Sequence, residues 1–123
     1  MLMLASAVTV AADPPIKGDA KNGNLAFGQY RTCHYPEKII KHNNGPNINS
    51  IFGKTTGRQP GFPYYSVTFK KAEFIWSSEL LDNWLSNPYT VTFPDATMMS
   101  PGVPDPQDRA DLIEYLKTFQ DKP

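Results

Sequence analysis

Apolar residues recur at helical spacing in three stretches of the chain, and the segments between them are rich in turn residues. Leu80, Leu81, Trp84 and Leu85 follow Ser77, a good N-cap, at three- and four-residue intervals, and Asn87-Pro88 ends the pattern. Leu112, Ile113, Leu116 and Phe119 form a second stripe behind Asp105, with Pro106 at the first helical position, where its missing N–H costs nothing. Leu25, Ala26 and Phe27 give apolar surface to a helix predicted from about Ala20 to Tyr30 and capped by Asp19. Gly23 weakens that helix but permits a close approach by another. From Tyr35 to Tyr64 the text is turn chemistry: Asn43-Asn44-Gly45-Pro46-Asn47, Phe52-Gly53, Thr56-Gly57 and Gln59-Pro60-Gly61-Phe62-Pro63. This is a long loop that must wrap around something. No sustained strand alternation is present, so the predicted class is all-α, with short helices around loops that carry function.

Composition narrows the possibilities. The 123 residues carry 12 Lys+Arg against 12 Asp+Glu, without the positive excess of a nucleic-acid binder. Hydrophobic residues make up 40%, too few for a bundle of membrane spans and too many for a wholly disordered chain. With 12 prolines and 8 glycines, much of the chain is loop and buries little core of its own. The single cysteine excludes an intramolecular disulfide, so another staple is needed. Residues 1–12 are an uncharged apolar run in which Ala5-Ser6-Ala7 and Val10-Ala11-Ala12 fit the small-x-small rule for signal peptidase. The run is too short for a membrane span and is followed by the helix-breaking Asp13-Pro14-Pro15. The expectation is an exported protein, with residues 1–12 the remnant of a signal peptide and residues 13–123 the functional domain. The missing basic n-region leaves a buried amino-terminal helix or a misplaced start codon as the alternative.

The chemistry concentrates at Cys33-His34. Adjacent cysteine and histidine side chains point different ways and rarely chelate one ion together. They suit haem, where the thiol adds to a vinyl group at the rim while the next imidazole reaches the iron. Haem would be the missing staple. The standard attachment signature is C-x-x-C-H, whereas this chain reads Tyr30-Arg31-Thr32-Cys33-His34, so a buried free thiol beside a surface histidine remains the alternative until the context is read.

That context is extensive. Gly18-Asp19-Ala20, Gly23 and Phe27 precede the motif, and Gly45-Pro46-Asn47-Ile48 begins eleven residues after His34. Ile51-Phe52-Gly53-Lys54, Pro60-Gly61-Phe62, Tyr64, Trp76 and Asn87-Pro88 follow in order. Pro94-Asp95-Ala96-Thr97-Met98 and the run Arg109-Ala110-Asp111-Leu112-Ile113-Glu114-Tyr115-Leu116-Lys117 complete the series. From Gly18 to Phe119 the chain resembles the class I cytochromes c, especially the small soluble bacterial carriers related to mitochondrial cytochrome c.

The resemblance implies a fold of short helices and long loops wrapped around one haem c. It implies His34 as the proximal iron ligand through Nε2, with the other ring nitrogen donating to the carbonyl of Pro46. Met98 is the implied distal ligand, whose soft thioether favours Fe(II). Counting four residues from Pro94 selects it, but the segment after Asn87-Pro88 is one residue longer than usual and Met99 competes. Tyr64 and Trp76 stand at the family's donors to a buried haem propionate, and Lys54 at its arginine, where it offsets propionate charge without a bidentate fork. His42 is expected to serve as a hydrogen-bonding loop histidine, and Gly23, Phe27, Leu112 and Tyr115 as the contact between the terminal helices.

Three departures matter. Tyr30 occupies the place of the first haem cysteine and cannot form a thioether, so the resemblance implies attachment through Cys33 alone, as in some euglenozoan mitochondrial cytochromes c. Gln29, Tyr89 and Thr97 stand where family carriers often place lysines, leaving a more neutral docking face. Ala96 and Ser100 replace the usual threonine and phenylalanine around the methionine. The expected function is electron transfer by one haem cycling Fe(III)/Fe(II), not enzymatic catalysis, in a monomer that meets redox proteins and no nucleic acid. The expected compartment is the periplasm, with the mitochondrial intermembrane space as the alternative. A labile methionine ligand leaves a haem peroxidase or diatomic-gas-binding protein as the second functional reading, and a haem-free binding module as the third.

Overall fold

A computed structural model describes residues 16–87 and 102–121. Its helices are α1 (Ala20–Phe27), α2 (Val67–Lys71), α3 (Ser78–Ser86) and α4 (Pro106–Lys117), with a tight 3-10 turn, Gly28–Tyr30, continuing α1. The described residues contain no extended sheet, only one isolated bridge between Thr55 and Ile75. The architecture is all-α, as the periodicity predicts. The proposed signal segment at residues 1–12, Met98 and Met99 lie outside the described residues.

Each expected cap is in place. The Asp19 carboxylate accepts from the Lys21 backbone N–H at 2.8 Å, Ser77 Oγ from Leu80 N–H at 3.1 Å, and the Asp105 carboxylate from Gln107 N–H at 2.8 Å. These bonds satisfy donors that the first helical turn leaves unpaired. The short α2 has no clear signal in the sequence. Its five residues bury none of their number and hold too few apolar positions to show a period, but Ser66 Oγ caps it by accepting from Phe69 N–H at 3.3 Å.

The frame is the crossing of α1 and α4. A Cβ atom at Gly23 would lie 2.0 Å from the Asp111 carbonyl oxygen and 2.7 Å from Tyr115 Cβ, so only glycine lets the backbones meet here. Asp111, itself buried, secures the contact by accepting from Asp19 N–H at 2.8 Å and from Gln107 Nε2 at 2.9 Å. Phe27 packs on Tyr115 with ring centres 5.6 Å apart, and Leu112 is buried in the same core cluster. The expected contact between terminal helices is therefore present. Arg109 ties α4 to α3, its Nε donating to Asp82 at 2.8 Å and its Nη1 to the Val103 carbonyl at 2.9 Å.

The loop predicted over Tyr35–Tyr64 is anchored by backbone bonds. Trp76 N–H donates to Lys54 O at 2.9 Å, Gly53 N–H to Trp76 O at 2.9 Å and Thr56 N–H to Phe74 O at 2.7 Å. Gly57 has φ +73°, and a Cβ there would meet the Phe69 carbonyl oxygen at 2.2 Å, so the loop crosses α2 closely. These anchors leave a concave face between loop, α1, α3 and α4.

Candidate functional site

The Tyr30–His34 turn follows α1 directly. Its backbone is closed by Cys33 N–H and His34 N–H, which both donate to the Tyr30 carbonyl, at 3.0 and 2.8 Å. The Asn43–Pro46 segment holds it from outside: Asn43 Nδ2 donates to Thr32 O at 2.6 Å and Gly45 N–H to Cys33 O at 2.8 Å. Arg31 adds an ion pair with Glu37.

His34 is fixed from the same segment. Its Nδ1 lies 2.8 Å from the Pro46 carbonyl oxygen, which only accepts, so Nδ1 carries the proton and Nε2 keeps its lone pair. Burial pushes the imidazole below its usual pKa, against the opposing pull of the Pro46 carbonyl. A neutral ring with a fixed tautomer and a free Nε2 is what metal ligation requires. Gly45 makes room for it, since a Cβ there would fall 2.4 Å from His34 Cε1. Gly45→Ala is accordingly expected to turn the ring off Pro46 and weaken iron ligation by Nε2 by about 10–100-fold, read as a growing high-spin fraction in the absorbance spectrum of the iron-loaded protein.

His42 plays a different part. Its Nδ1 accepts from Asn47 N–H at 2.8 Å and its Nε2 lies 2.7 Å from the Pro60 carbonyl, so both nitrogens are engaged in joining two loops. It acts as the expected loop histidine.

His34 and Cys33 border a cavity of about 640 Å³, within the range of cofactor pockets. Its wall is mainly apolar, with Phe27, Ile48, Ile51, Leu81, Trp84 and Leu112 among the lining residues. No aspartate or glutamate lines it among the described residues, and no group of three or more His, Cys, Asp or Glu side chains there forms a separate metal site. The cavity suits a large apolar group that brings its own metal: a thiol and an imidazole stand at one side, and apolar surface covers most of the rest.

Comparison with known proteins bears on that fit. No family model matches the chain. It is 40% identical to a cytochrome c of Sesamum indicum over 105 residues, covering 85% of this chain and 91% of the relative. It is 35% identical to the cytochrome c2 of Rhodomicrobium vannielii over 116 residues, 94% of this chain and 91% of the relative. The chain belongs to the class I cytochrome c family. A cytochrome c of Euglena viridis is 33% identical over 105 residues, covering 85% of this chain and all of the relative.

Within this family frame, the sequence-predicted residues separate into three groups. Tyr30, Cys33, His34, Pro46, Tyr64 and Trp76 all line the cavity. Tyr30 is buried and packs against Phe27 with ring centres 6.1 Å apart. Trp76 is buried, whereas Tyr64 lies at the mouth with 73% of its surface exposed. Lys54 is not among the lining residues; its Nζ donates to the Asn49 carbonyl at 2.9 Å. Met98 falls outside the described residues.

The structure also adds wall residues that the sequence reading did not single out: Arg58, Gln59, Tyr65 and Phe69. Tyr65 hydroxyl accepts from Gln59 N–H at 3.3 Å, and burial raises its pKa to about 12 despite that bond, so it stays a protonated donor at neutral pH. Its ring is held edge-on by Phe62 at 4.9 Å and stacked on Phe69 at 6.2 Å. The doublet Tyr64-Tyr65 was the available signal, but sequence alone does not say which ring turns inward. No helix among the described residues is long and apolar enough to cross a membrane.

Proposed function

We propose that this chain carries single electrons with one haem c, attached covalently through Cys33 alone. The observation that supports it best is the 2.8 Å bond between His34 Nδ1 and the Pro46 carbonyl, beside Cys33 on the wall of an apolar cavity. Bound haem supplies the Fe(III)/Fe(II) couple. In this reading the protein holds the iron through His34 Nε2 and Met98, with Met99 as the competing distal ligand. Cys33 would tie down one edge of the ring, and the buried Tyr30 takes up the space of the absent first haem cysteine. Tyr64 and Trp76 would donate hydrogen bonds to haem carboxylates, and Lys54, which does not line the cavity, would lend positive charge from a distance. The low polarity of the cavity limits solvent reorganisation, which keeps the two oxidation states close in structure.

The redox partner is a protein met through a weakly charged face. Formal net charge is zero, Gln29 is exposed on the cavity rim, and Tyr89 and Thr97 continue that neutral composition in the sequence. A neutral face steers little, so electron-exchange rates are expected to vary weakly with salt. The chain works as an exported monomer in the periplasm or, if its source is mitochondrial, in the intermembrane space. No comparison favours the peroxidase or gas-binding alternative.

Absorbance tests this reading. The oxidised protein should show a methionine-to-iron charge-transfer band, and the reduced protein a low-spin spectrum that carbon monoxide leaves unchanged. High-spin iron that binds carbon monoxide readily would contradict it.

A further inference from the structure

The described wall of the cavity carries polar residues from the loop before α2, and its charge is unbalanced. Arg58, Gln59, Tyr65 and Ser66 all line it, and Arg58 is the only lysine or arginine doing so among the described residues. No carboxylate of the described wall faces that charge. Arg58 also takes part in none of the ion pairs or hydrogen bonds of the described residues, whereas Arg31, Lys38, Arg109 and Lys117 all have acidic partners. Lys54, by contrast, is committed to the Asn49 carbonyl and stands off the wall. Among the described residues the cavity thus presents one guanidinium with no acidic partner, held by water at its exposed edge, and an anionic guest would pair with it.

Haem is such a guest. Its two carboxylates lie on the opposite side of the ring from its vinyl groups, so a ring held at Cys33 turns them toward another part of the wall. The stretch containing Arg58 is where this chain offers a cation together with the fixed phenol of Tyr65. We infer that Arg58 is the principal charge partner of the haem carboxylates in this chain, with Tyr65 as its neutral hydrogen-bond donor and Lys54 acting only at longer range. The inference rests on the reading of the chain as a haem carrier and assigns the tuning of its couple to a residue four positions beyond the one that the family resemblance selects.

The consequence is a shift in the redox equilibrium. Carboxylate charge near the iron favours the oxidised state, and an arginine that offsets it favours the reduced state. Arg58 is solvent-exposed, so the effect is moderate and screened by salt.

The test is a spectroscopic redox titration of the haem-loaded full chain. Arg58→Gln is expected to lower the ratio of reduced to oxidised protein at fixed potential by about threefold, equivalent to about 28 mV for one electron. Arg58→Lys should restore most of that shift, Lys54→Gln should produce less than half of it, and the Arg58→Gln difference should shrink in high salt. An unchanged ratio in Arg58→Gln, or a larger shift in Lys54→Gln, overturns the assignment. Wild-type protein that takes up no haem overturns the carrier reading as well, whereas haem-loaded protein indifferent to Arg58 overturns this inference alone.

Discussion

His34→Ala is expected to abolish electron transfer while leaving haem attached through Cys33. His34 is the only described side chain on the cavity wall with a free imidazole nitrogen; the other histidine spends both of its nitrogens on Asn47 and Pro60. No neighbouring histidine can therefore substitute. Loss of only an outer hydrogen-bond partner of a metal ligand costs about 10–100-fold, so removing the ligand itself should lower the rate of reduction by a soluble donor by more than about 100-fold. The iron should become high-spin and bind carbon monoxide, and added imidazole should restore part of the low-spin spectrum. A variant that stays low-spin without imidazole would show that another group holds the iron.

The second large effect falls on the frame. Gly23→Val places branched carbon where even a Cβ would lie 2.0 Å from the Asp111 carbonyl oxygen. The obstacle is backbone, which cannot rotate away, so α1 and α4 must separate. That separation also pulls apart the Asp19 to Asp111 bond and the Phe27–Tyr115 contact. Overpacking alone costs up to about 3 kcal/mol, and the thermal midpoint should fall by about 10–20 °C. Gly28→Val serves as the control, because a Cβ at Gly28 meets nothing within 4 Å and the helix has already given way to a tight turn there. Circular dichroism melting of the two variants checks the comparison, and equal midpoints would contradict the account of the crossing.

The parts of the fold that could be read from the sequence are those whose signal is local. Asp19, Ser77 and Asp105 announce helix starts because a short polar side chain before an apolar stripe satisfies unpaired backbone donors, and all three do so. Gly23 could be read because a glycine within a helix has a cost that a close contact offsets. The helix α2 could not, since its stability comes from the Ser66 cap and from Phe69 packing edge-on to Trp84 at 5.3 Å, a partner distant in sequence.

The site divides along the same line. The bond from His34 to Pro46 follows from the spacing of the Cys33-His34 and Gly45-Pro46-Asn47 segments in the family resemblance, and it is present. Which cation of Lys54 and Arg58 reaches the wall depends instead on how the loop folds back over α2, a tertiary matter. There the Asn49 carbonyl claims Lys54, and Arg58 is left at the cavity. Tyr64 and Tyr65 pose the same choice: both line the cavity, but only Tyr65 has a hydroxyl fixed by Gln59 and a ring clamped by Phe62 and Phe69.

The single cysteine bears most directly on the central claim, since a haem held at Cys33 alone accounts at once for the missing staple, the loop-rich chain and the tyrosine at position 30. A pyridine haemochrome spectrum combined with acid-acetone extraction measures it. One thioether predicts haem that stays with the protein and an α band red-shifted from that of doubly attached haem, with Cys33→Ala releasing the haem to the solvent. Haem extracted from the wild-type chain, or covalent haem retained by Cys33→Ala, would contradict the account.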